Sequence, residues 1–297
     1  MYQSCPEGDP IMADDSICTV VFDLETTGLE RDSHITELAA QTVYSTNNST
    51  DTFQRFIIPN KTISNQASKI TGITVKGRQL FKNGALVNNS VSVSRAFTLF
   101  LDFLKQKQKV ILVGHNIKTF DSLVLALENV NMMADFRNIV IGFEDTRKLF
   151  MINNPELKSY SKENLVGQLL GQEYQAHSAS EDVKALKALY TTVDVGKDVH
   201  AKCLFSVAYS ILSLNYSQRV RRNLPSLQRM IDMKVLTQSM ARRVVGSGLV
   251  FRHIEIVFRR SGKQGITNPF SETVNGKVRV TKCSKIVQSV CDFLSSN

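Results

Sequence analysis

The stretch CTVVFDLETTGL, residues 18–29, indicates the fold of the larger part of the chain. Its apolar, β-branched start predicts a buried strand at 18–22, and Asp23 and Glu25 follow directly. Because side chains alternate along a strand, both carboxylates point to the same side. Neighbouring carboxylates stay ionised only when a cation lies between them, and oxygen-only ligands suit Mg²⁺ or Mn²⁺. The same Asp-x-Glu pattern also arises by chance, so it needs support from elsewhere.

The sequence on either side of this strand predicts an α/β domain. Further strands are expected at 35–44, 52–58, 110–113 and 139–143. Apolar residues at helical spacing predict helices at 93–107, 120–130, 161–170 and 178–193. Ser161 is a candidate N-cap, and residues 59–90 are expected to be rich in loops. Three strands followed by alternating helices and strands predict a mixed sheet flanked by helices, ending near residue 195.

Two further segments carry candidate functional side chains. Asp121 follows a predicted buried strand in VILVGHNIKTFD (110–121), where a carboxylate at a helix N-terminus, favoured by the helix dipole, is an equally good explanation. In HSASED (177–182), His177 lies on a loop and Asp182 begins a helix. An imidazole titrates near neutrality and can accept a proton from water, although a lone histidine before a helix is more often a surface residue.

Taken together, these segments resemble a known family. The motifs VFDLETTGL (21–29), HNIKTFD (115–121) and HSASED (177–182) resemble those of the DEDDh 3′→5′ exonucleases. This RNase H-like superfamily includes the proofreading subunit of bacterial DNA polymerase III and the TREX-type exonucleases. Weaker matches are ITELAA (35–40), TGIT (71–74) and EDTRKLF (144–150). The resemblance covers residues 18–192 and implies an RNase H-like mixed sheet flanked by helices; the segment at 75–90 departs from the pattern.

The resemblance implies the chemistry of the site. Asp23, Glu25, Asp121 and Asp182 would hold two Mg²⁺ ions, with Mn²⁺ able to substitute, and His177 would be the general base. The implied reaction is metal-dependent 3′→5′ hydrolysis that releases nucleoside 5′-monophosphates from DNA or RNA ends.

It also implies where the substrate binds. Thr26 and Leu29 resemble positions that contact the terminal nucleotide, with Leu29 against its base, and Asn116 resembles a residue of the same pocket. Tyr174 is given no role. The competing hypothesis is a catalytically silent module of the same fold that binds nucleic acid or protein partners.

Charge and pattern both change after residue 195. The expected organisation is a flexible N-terminus at 1–16, an exonuclease domain at 17–195 and a basic, mainly helical extension at 196–297. Of the 297 residues, 1–195 hold 19 basic and 22 acidic side chains, whereas 196–297 hold 17 and 5. This asymmetry favours a polyanion partner, most simply nucleic acid, over a solvated basic surface. Helices are expected at 199–214, 225–245 and 284–294, and 249–260 is ambiguous between strand and helix.

The extension has a resemblance of its own. The segments RRNLPSLQRM (221–230), GLVFRHIEIVFRR (248–260) and GKVRVTKCSKIV (276–287) resemble the exon-9 region of the promyelocytic leukaemia (PML) protein and its free-standing fish relatives, the PML-like exon 9 proteins. This resemblance implies a nuclear or nucleolar setting, with a cytoplasmic one left open. It also implies that the basic region could contact nuclear protein partners.

Several classes are excluded or disfavoured by composition. No apolar run approaches the roughly 18 residues of a membrane span, and the acidic start MYQSCPEGDPIMADD lacks the apolar core of a secretory signal. The five cysteines are scattered without a Cys-x-x-Cys pair, which predicts free thiols in a reducing, intracellular compartment. Neither GxxxxGK[ST] nor GxGxxG occurs, which argues against a P-loop or Rossmann nucleotide site.

Overall fold

The computed structural model describes two compact units. It covers residues 17–30, 32–44, 51–107, 109–117, 122–174, 176–274 and 276–296, so the N-terminus predicted to be flexible lies outside the described residues. The division between the units falls after Ile211. The first unit extends beyond the expected boundary at 195 because Leu204–Phe205 forms a short strand of its sheet.

The first unit is built on a mixed, six-stranded sheet. The strands of the described chain are β1 (Ile17–Thr26), β2 (Ile35–Thr42), β3 (Thr52–Phe56), β4 (Ile73–Lys76), β5 (Gln79–Lys82), β6 (Ala85–Leu86), β7 (Lys109–Gly114), β8 (Val140–Asp145), β9 (Leu204–Phe205), β10 (Thr273–Val274) and β11 (Lys277–Val278). The main sheet has the order β3-β2-β1-β7-β8-β9. Strands β1, β7 and β8 are parallel, and the outer pairs are antiparallel. The mixed sheet predicted from sequence is confirmed.

Helices pack on both faces of this sheet. They are α1 (Asn65–Thr71), α2 (Val93–Lys105), α3 (Ser122–Asn129), α4 (Met133–Ile139), α5 (Thr146–Asn153), α6 (Lys162–Leu165), α7 (Ala179–Thr191), α8 (Lys197–Cys203) and the start of α9 (Val207–Asn223). Val20 and Phe22 of β1 point into one core with α2, α3 and α4. Val21 points into a second core, on the opposite face, with α7. This alternation determines the face on which the next residues of β1 lie.

The segment expected to be loop-rich, 59–90, contains more regular structure than predicted. Helix α1 begins after Ser64, whose side chain accepts a hydrogen bond from the Ala67 N–H, and β4, β5 and β6 form a small antiparallel sheet. The β5–β6 turn is Asn83-Gly84, with φ of 51° and 80°, as a type I′ hairpin requires. The prediction missed this sheet because its strands of two to four residues are too short for a clear alternation.

The second unit, from residue 212, is helical with its own core. After α9 come a 3₁₀ turn (Leu224–Leu227), α10 (Gln228–Asp232), α11 (Gln238–Gly246), α12 (Phe251–Ser271) and α13 (Ser284–Ser295). The ambiguous stretch 249–260 is therefore helical, and the helix expected at 225–245 is divided. Helix α12 is interrupted at Ser261 and Gly262, which leave helical φ and ψ. In the described part of the chain, no helix combines the length and the apolar character of a membrane span.

Candidate active site

Three carboxylates converge where β1 leaves the core. Asp23 and Glu25 lie on the same face of β1 as Val21, so they continue the α7-facing side of the strand after the apolar residues end. Helix α7 contributes Asp182 from its first turn. One carboxylate oxygen from each of the three side chains lies within 4.8 Å of the other two. The alternation expected from sequence thus brings together side chains that are distant along the chain.

A lysine that the sequence analysis did not single out neutralises part of this cluster. The Lys162 ammonium lies 2.9 Å from Asp23 Oδ1 and 2.6 Å from Asp182 Oδ1. Its side chain is 16% exposed, and Asp182 is buried. Lys162 is the first residue of α6, directly after the N-cap Ser161, whose side chain accepts a hydrogen bond from the Asn164 N–H as predicted. One ammonium group therefore bridges two of the three converging carboxylates.

Asp182 is held by two further donors. The Tyr174 hydroxyl donates to Oδ1 over 3.0 Å, and the His177 backbone N–H donates to Oδ2 over 3.0 Å. His177 has φ of 71°, in the left-handed region that non-glycine residues rarely adopt. Its side chain is exposed. The loop is thus held to Asp182 by its backbone, and the His177 side chain stays exposed to solvent.

The electrostatics of the cluster reflect an excess of negative charge. Burial raises the pKa of Glu25 to about 8, with repulsion from Asp23 and Asp182 acting in the same direction. Burial also raises the pKa of Asp23 to about 6, although the Lys162 ammonium opposes the shift. Burial disfavours the charged form of Lys162, but attraction to Asp23 and Asp182 outweighs it, and its pKa is raised. One lysine does not balance the charge of three carboxylates, so the cluster favours further positive charge.

A fourth carboxylate and a second lysine adjoin the site. Glu37 of β2 is directly opposite Glu25 in the antiparallel pair and is fully buried. Gln54 Nε2 donates to Glu37 Oε1 over 2.7 Å. The Lys82 ammonium of β5 lies 3.8 Å from Glu37 Oε2 and donates to the His177 carbonyl over 3.4 Å. The small sheet missed by the prediction thus connects a buried acid to the histidine loop.

The loop after β7 is joined to the start of α6. His115 Nε2 donates to the Tyr160 carbonyl over 2.8 Å, and Nδ1 lies 3.0 Å from Thr146 Oγ1. Burial lowers the pKa of His115, which favours the neutral ring with its proton on Nε2. The side chain of Asn164 also donates to the Ser159 carbonyl over 2.7 Å. These bonds fix the backbone from which Lys162 extends.

A cavity of about 350 Å³ opens next to Asp23. It is lined by Leu29, Asn116 and apolar residues such as Phe22 and Phe143. Leu29 lies three residues after the end of β1 and is 86% exposed. Asn116 adopts φ of 58°, and its backbone N–H donates to Asp145 Oδ1 over 2.9 Å. Thr26 does not line this cavity; its hydroxyl donates to the Gly28 carbonyl over 2.7 Å.

The candidate residues therefore fall into three groups. Asp23, Glu25 and Asp182 converge, with His177 on the adjoining loop, and Leu29 and Asn116 share the neighbouring cavity with Asp23. Asp121 lies outside the described residues. The sequence analysis missed Lys162, Lys82, Glu37 and the contact of Tyr174 with Asp182. A lysine at the first position of a helix was a usable signal, because the helix dipole disfavours a cation there.

Comparisons with known proteins agree with this fold and with the division of the chain. An Exonuclease (RNase T) family model matches residues 20–190, and a model described as "PML, C-terminal domain" matches residues 223–297. A DNA polymerase III of PolC type from Caldanaerobacter subterraneus is 28% identical over 190 residues, which make up 62% of this chain but 12% of that protein.

Two solved structures are also similar. The first is of a 3′-exonuclease that recognises the 3′ end of the histone mRNA stem-loop; it is 16% identical, with a TM-score of 0.44 over 64% of this chain and 90% of that one. The second is the Pan2 catalytic unit of Neurospora crassa, which is 20% identical, with a TM-score of 0.41 over 64% of this chain and 29% of that one.

The family assignment rests on the extent of the first match. The Exonuclease model covers more than half of the chain, and it spans β1, β2, β7 and α7, the elements that carry or support the carboxylate cluster. The chain belongs to the Exonuclease (RNase T) family.

Proposed function

We propose that residues 17–195 form a metal-dependent 3′→5′ exonuclease that releases nucleoside 5′-monophosphates from nucleic-acid ends. The observation that carries this proposal is the convergence of Asp23, Glu25 and Asp182 within 4.8 Å. Membership of the Exonuclease family supports hydrolysis of phosphodiesters as the reaction. Like charges at this distance in a partly buried site are costly unless cations balance them, which argues for a functional reason to keep all three.

The donor set fits hard divalent cations. It consists of carboxylate oxygens, the ligands that Mg²⁺ prefers, and it carries more negative charge than Lys162 neutralises. In this proposal, Asp23, Glu25 and Asp182, together with Asp121, hold two Mg²⁺ ions, and Mn²⁺ substitutes for them. Bound divalent ions activate water at neutral pH and stabilise the developing charge on the leaving oxygen.

The side chains around the cluster have distinct proposed roles. His177 acts as the general base, because its exposed imidazole lies on a loop held to Asp182 by a backbone hydrogen bond. Leu29 and Asn116 contact the terminal nucleotide in the cavity beside Asp23, where an exposed leucine can pack against a base. Thr26 supports this pocket indirectly, since its hydroxyl is committed to the Gly28 carbonyl.

The C-terminal region extends the proposal. Its excess of basic side chains is suited to a nucleic-acid backbone or to acidic protein partners. The match of residues 223–297 to the PML C-terminal domain supports a nuclear setting and contacts with nuclear proteins. The proposal includes both DNA and RNA as substrates, because no residue has been assigned to recognition of the ribose 2′-hydroxyl.

One contact favours the alternative of a catalytically silent module. The Lys162 ammonium bridges Asp23 and Asp182, so a lysine supplies positive charge that metal ions would otherwise provide. A site neutralised in this way could keep its fold and bind nucleic acid without hydrolysis. Burial and the neighbouring acids raise the pKa of Glu25, and a bound divalent ion would favour its charged form. This environment argues for the active enzyme over the silent module.

The test is digestion of end-labelled oligonucleotides by the full chain. Single- and double-stranded DNA and RNA, labelled at the 5′ or 3′ end, are offered with Mg²⁺, Mn²⁺ or EDTA. We expect 5′-labelled strands to shorten stepwise only with metal. Asp23→Ala should lower the rate by about 10³-fold or more. Glu181→Ala is the matched control, because Glu181 is an acid of the same helix turn as Asp182 that pairs with Lys184 away from the cluster.

Either of two results would contradict the proposal. Activity that survives EDTA or the Asp23→Ala change would remove the carboxylate cluster from the mechanism. Tight binding of oligonucleotides by the wild type without digestion under either metal would support the silent module.

A further inference from the structure

We propose that Lys162 is a resident cation that competes with divalent metal for Asp23 and Asp182, so that metal ions enter the site as its ammonium withdraws. This inference rests on the proposed metal-dependent function and deepens it. It predicts that the metal affinity of the protein is set by Lys162 as well as by the carboxylates.

The contacts place the Lys162 ammonium on two carboxylates of the converging cluster. Its nitrogen lies 2.9 Å from Asp23 Oδ1 and 2.6 Å from Asp182 Oδ1, so it donates to one oxygen of each carboxylate. The same two side chains also belong to the converging carboxylate cluster, and carboxylate oxygens are the ligands that divalent ions prefer. A divalent ion bound to either oxygen would be close enough to the ammonium to be repelled strongly in this partly buried site. The two cations therefore exclude each other from these atoms.

The backbone at Lys162 is held in place, whereas its side chain can change rotamer. The backbone before and after it is held by the Ser161 cap, by His115 on the Tyr160 carbonyl and by Asn164 on the Ser159 carbonyl. The four-carbon stem of the side chain is flexible. It can still change rotamer and carry the compact ammonium to a new position. The helix need not move for the ammonium to leave.

An open cleft beside the site can accommodate the Lys162 ammonium after it leaves the carboxylates. This cleft of about 520 Å³ is lined by Lys162 and its neighbours Ser159, Tyr160 and Ser161, and also by His115, Asn116 and two further cations, Arg147 and Lys158. It is polar and reaches solvent, so a lysine that turned into it would be rehydrated. Withdrawal thus costs the ion pairs with Asp23 and Asp182 but leaves no buried, unpaired cation.

The lysine also explains how the cluster is tolerated before metal binds. Asp23 and Asp182 would otherwise face each other across a partly buried site with no cation between them in the described part of the chain. The ammonium lies between them and joins α6 to β1 and to α7 through its two ion pairs. Removal of the Lys162 ammonium should therefore lower the stability of the metal-free protein and raise its affinity for metal ions.

The experiment measures Mn²⁺ binding to the full chain by calorimetry. Lys162→Met is compared with Lys158→Met, a matched control that removes an exposed lysine lining the same cleft without a contact to Asp23 or Asp182. We expect Lys162→Met to lower the Mn²⁺ dissociation constant about tenfold or more, and Lys158→Met to leave it within about twofold. The melting temperature of Lys162→Met should be lower than that of wild type in EDTA and equal to it at saturating Mn²⁺.

A second measurement uses the wild-type protein and avoids any folding defect of the variant. Lysines are acylated briefly with and without Mn²⁺, and the modified residues are quantified by mass spectrometry. The Lys162 amine should become several-fold more reactive with Mn²⁺, because it has left its carboxylates, while Lys158 serves as the internal reference.

The outcomes separate this inference from the proposed function. Unchanged or weaker Mn²⁺ binding in Lys162→Met, together with unchanged Lys162 reactivity, would overturn the inference even if the wild type digests nucleic acid. Absence of Mn²⁺ binding in the wild type and in both variants would overturn the metal-dependent function, and the inference with it. Binding by Lys162→Met alone would support the inference in its strongest form, with the lysine excluding metal.

Discussion

A buried glutamate of β8 and the partly buried carboxylate cluster of β1 and α7 are neutralised to very different extents. Glu144 of β8 is buried, and each of its oxygens has a donor: the Tyr190 hydroxyl at 2.8 Å and His200 Nδ1 at 2.6 Å. On β1, by contrast, the Glu25 carboxylate has no hydrogen-bond or ion-pair partner among the residues that the structure describes. Its neighbours Asp23 and Asp182 share a single ammonium.

The difference separates an acid that supports the fold from acids that are candidates for a functional site. A buried carboxylate is tolerated when its oxygens are hydrogen-bonded, and Glu144 meets this condition by joining β8 to α7 and α8. The β1 cluster does not meet it within the described chain, and burial raises the pKa of Glu25 to about 8 as a result. Acids whose charge is left unbalanced in a cleft are candidates for function.

The largest effect expected from this comparison is on the stability of the fold. Glu144→Ala should lower the free energy of unfolding by about 3 kcal/mol, because it removes the acceptor of Tyr190 and His200 and leaves a cavity. Glu25→Ala should cost far less, since it relieves repulsion within the cluster. Urea unfolding in EDTA measures both. Equal losses of unfolding free energy in Glu144→Ala and Glu25→Ala would show that the two acids do not differ in this way.

Much of the site could be predicted because it depends on local rules. Alternation along β1 predicted that Asp23 and Glu25 share a side, and the capping pattern predicted the start of α6 at Ser161. The histidine loop and the start of α7 followed from the helical spacing of apolar residues.

The remaining parts depend on contacts that no local pattern contains. Lys162 meets Asp23 across 139 positions of sequence, and its place beside the carboxylates follows from how α6 is set against β1. Lys82 reaches Glu37 and His177 from a small sheet whose strands are too short for a periodic signal. The Asn83-Gly84 turn was the one strong local indication of that sheet.

A second prediction concerns the pH dependence of stability in the absence of metal. The pKa of Glu25 is raised from 4.5 to about 8, so the folded state binds a proton that the unfolded state has already lost between these values. Stability therefore falls as pH rises through this window, and Asp23, with a pKa of about 6, adds to the fall at its lower end. Glu25→Gln should reduce the loss between pH 6 and 8 by about 1–2 kcal/mol.

Chemical denaturation in EDTA at several pH values measures this slope. Glu181→Gln is the control, because Glu181 is a partly exposed acid of α7 that pairs with Lys184, and its removal should leave the slope unchanged. Parallel slopes for the wild type and Glu25→Gln would mean that Glu25 is neutralised as fully as Glu144.

The smallest effect is expected at Glu144, whose two carboxylate oxygens each have a hydrogen-bond donor. The hydrogen bond to Glu144 raises the pKa of His200 from 6.5, although burial opposes the shift. A raised histidine pKa means that the folded state holds the proton more tightly, so this stabilisation is fully present below pH 6.5 and is lost as pH rises through the raised value. The melting temperatures of the wild type and His200→Asn should therefore differ most below pH 6.5 and converge as pH rises through the raised pKa. Tyr190→Phe is the control, since it removes the other hydrogen bond to Glu144 without removing a group that titrates in this range, and its deficit should be constant with pH. A His200→Asn deficit that is equally constant would show that His200 contributes a neutral hydrogen bond, and that Glu144 keeps its charge beside an uncharged ring.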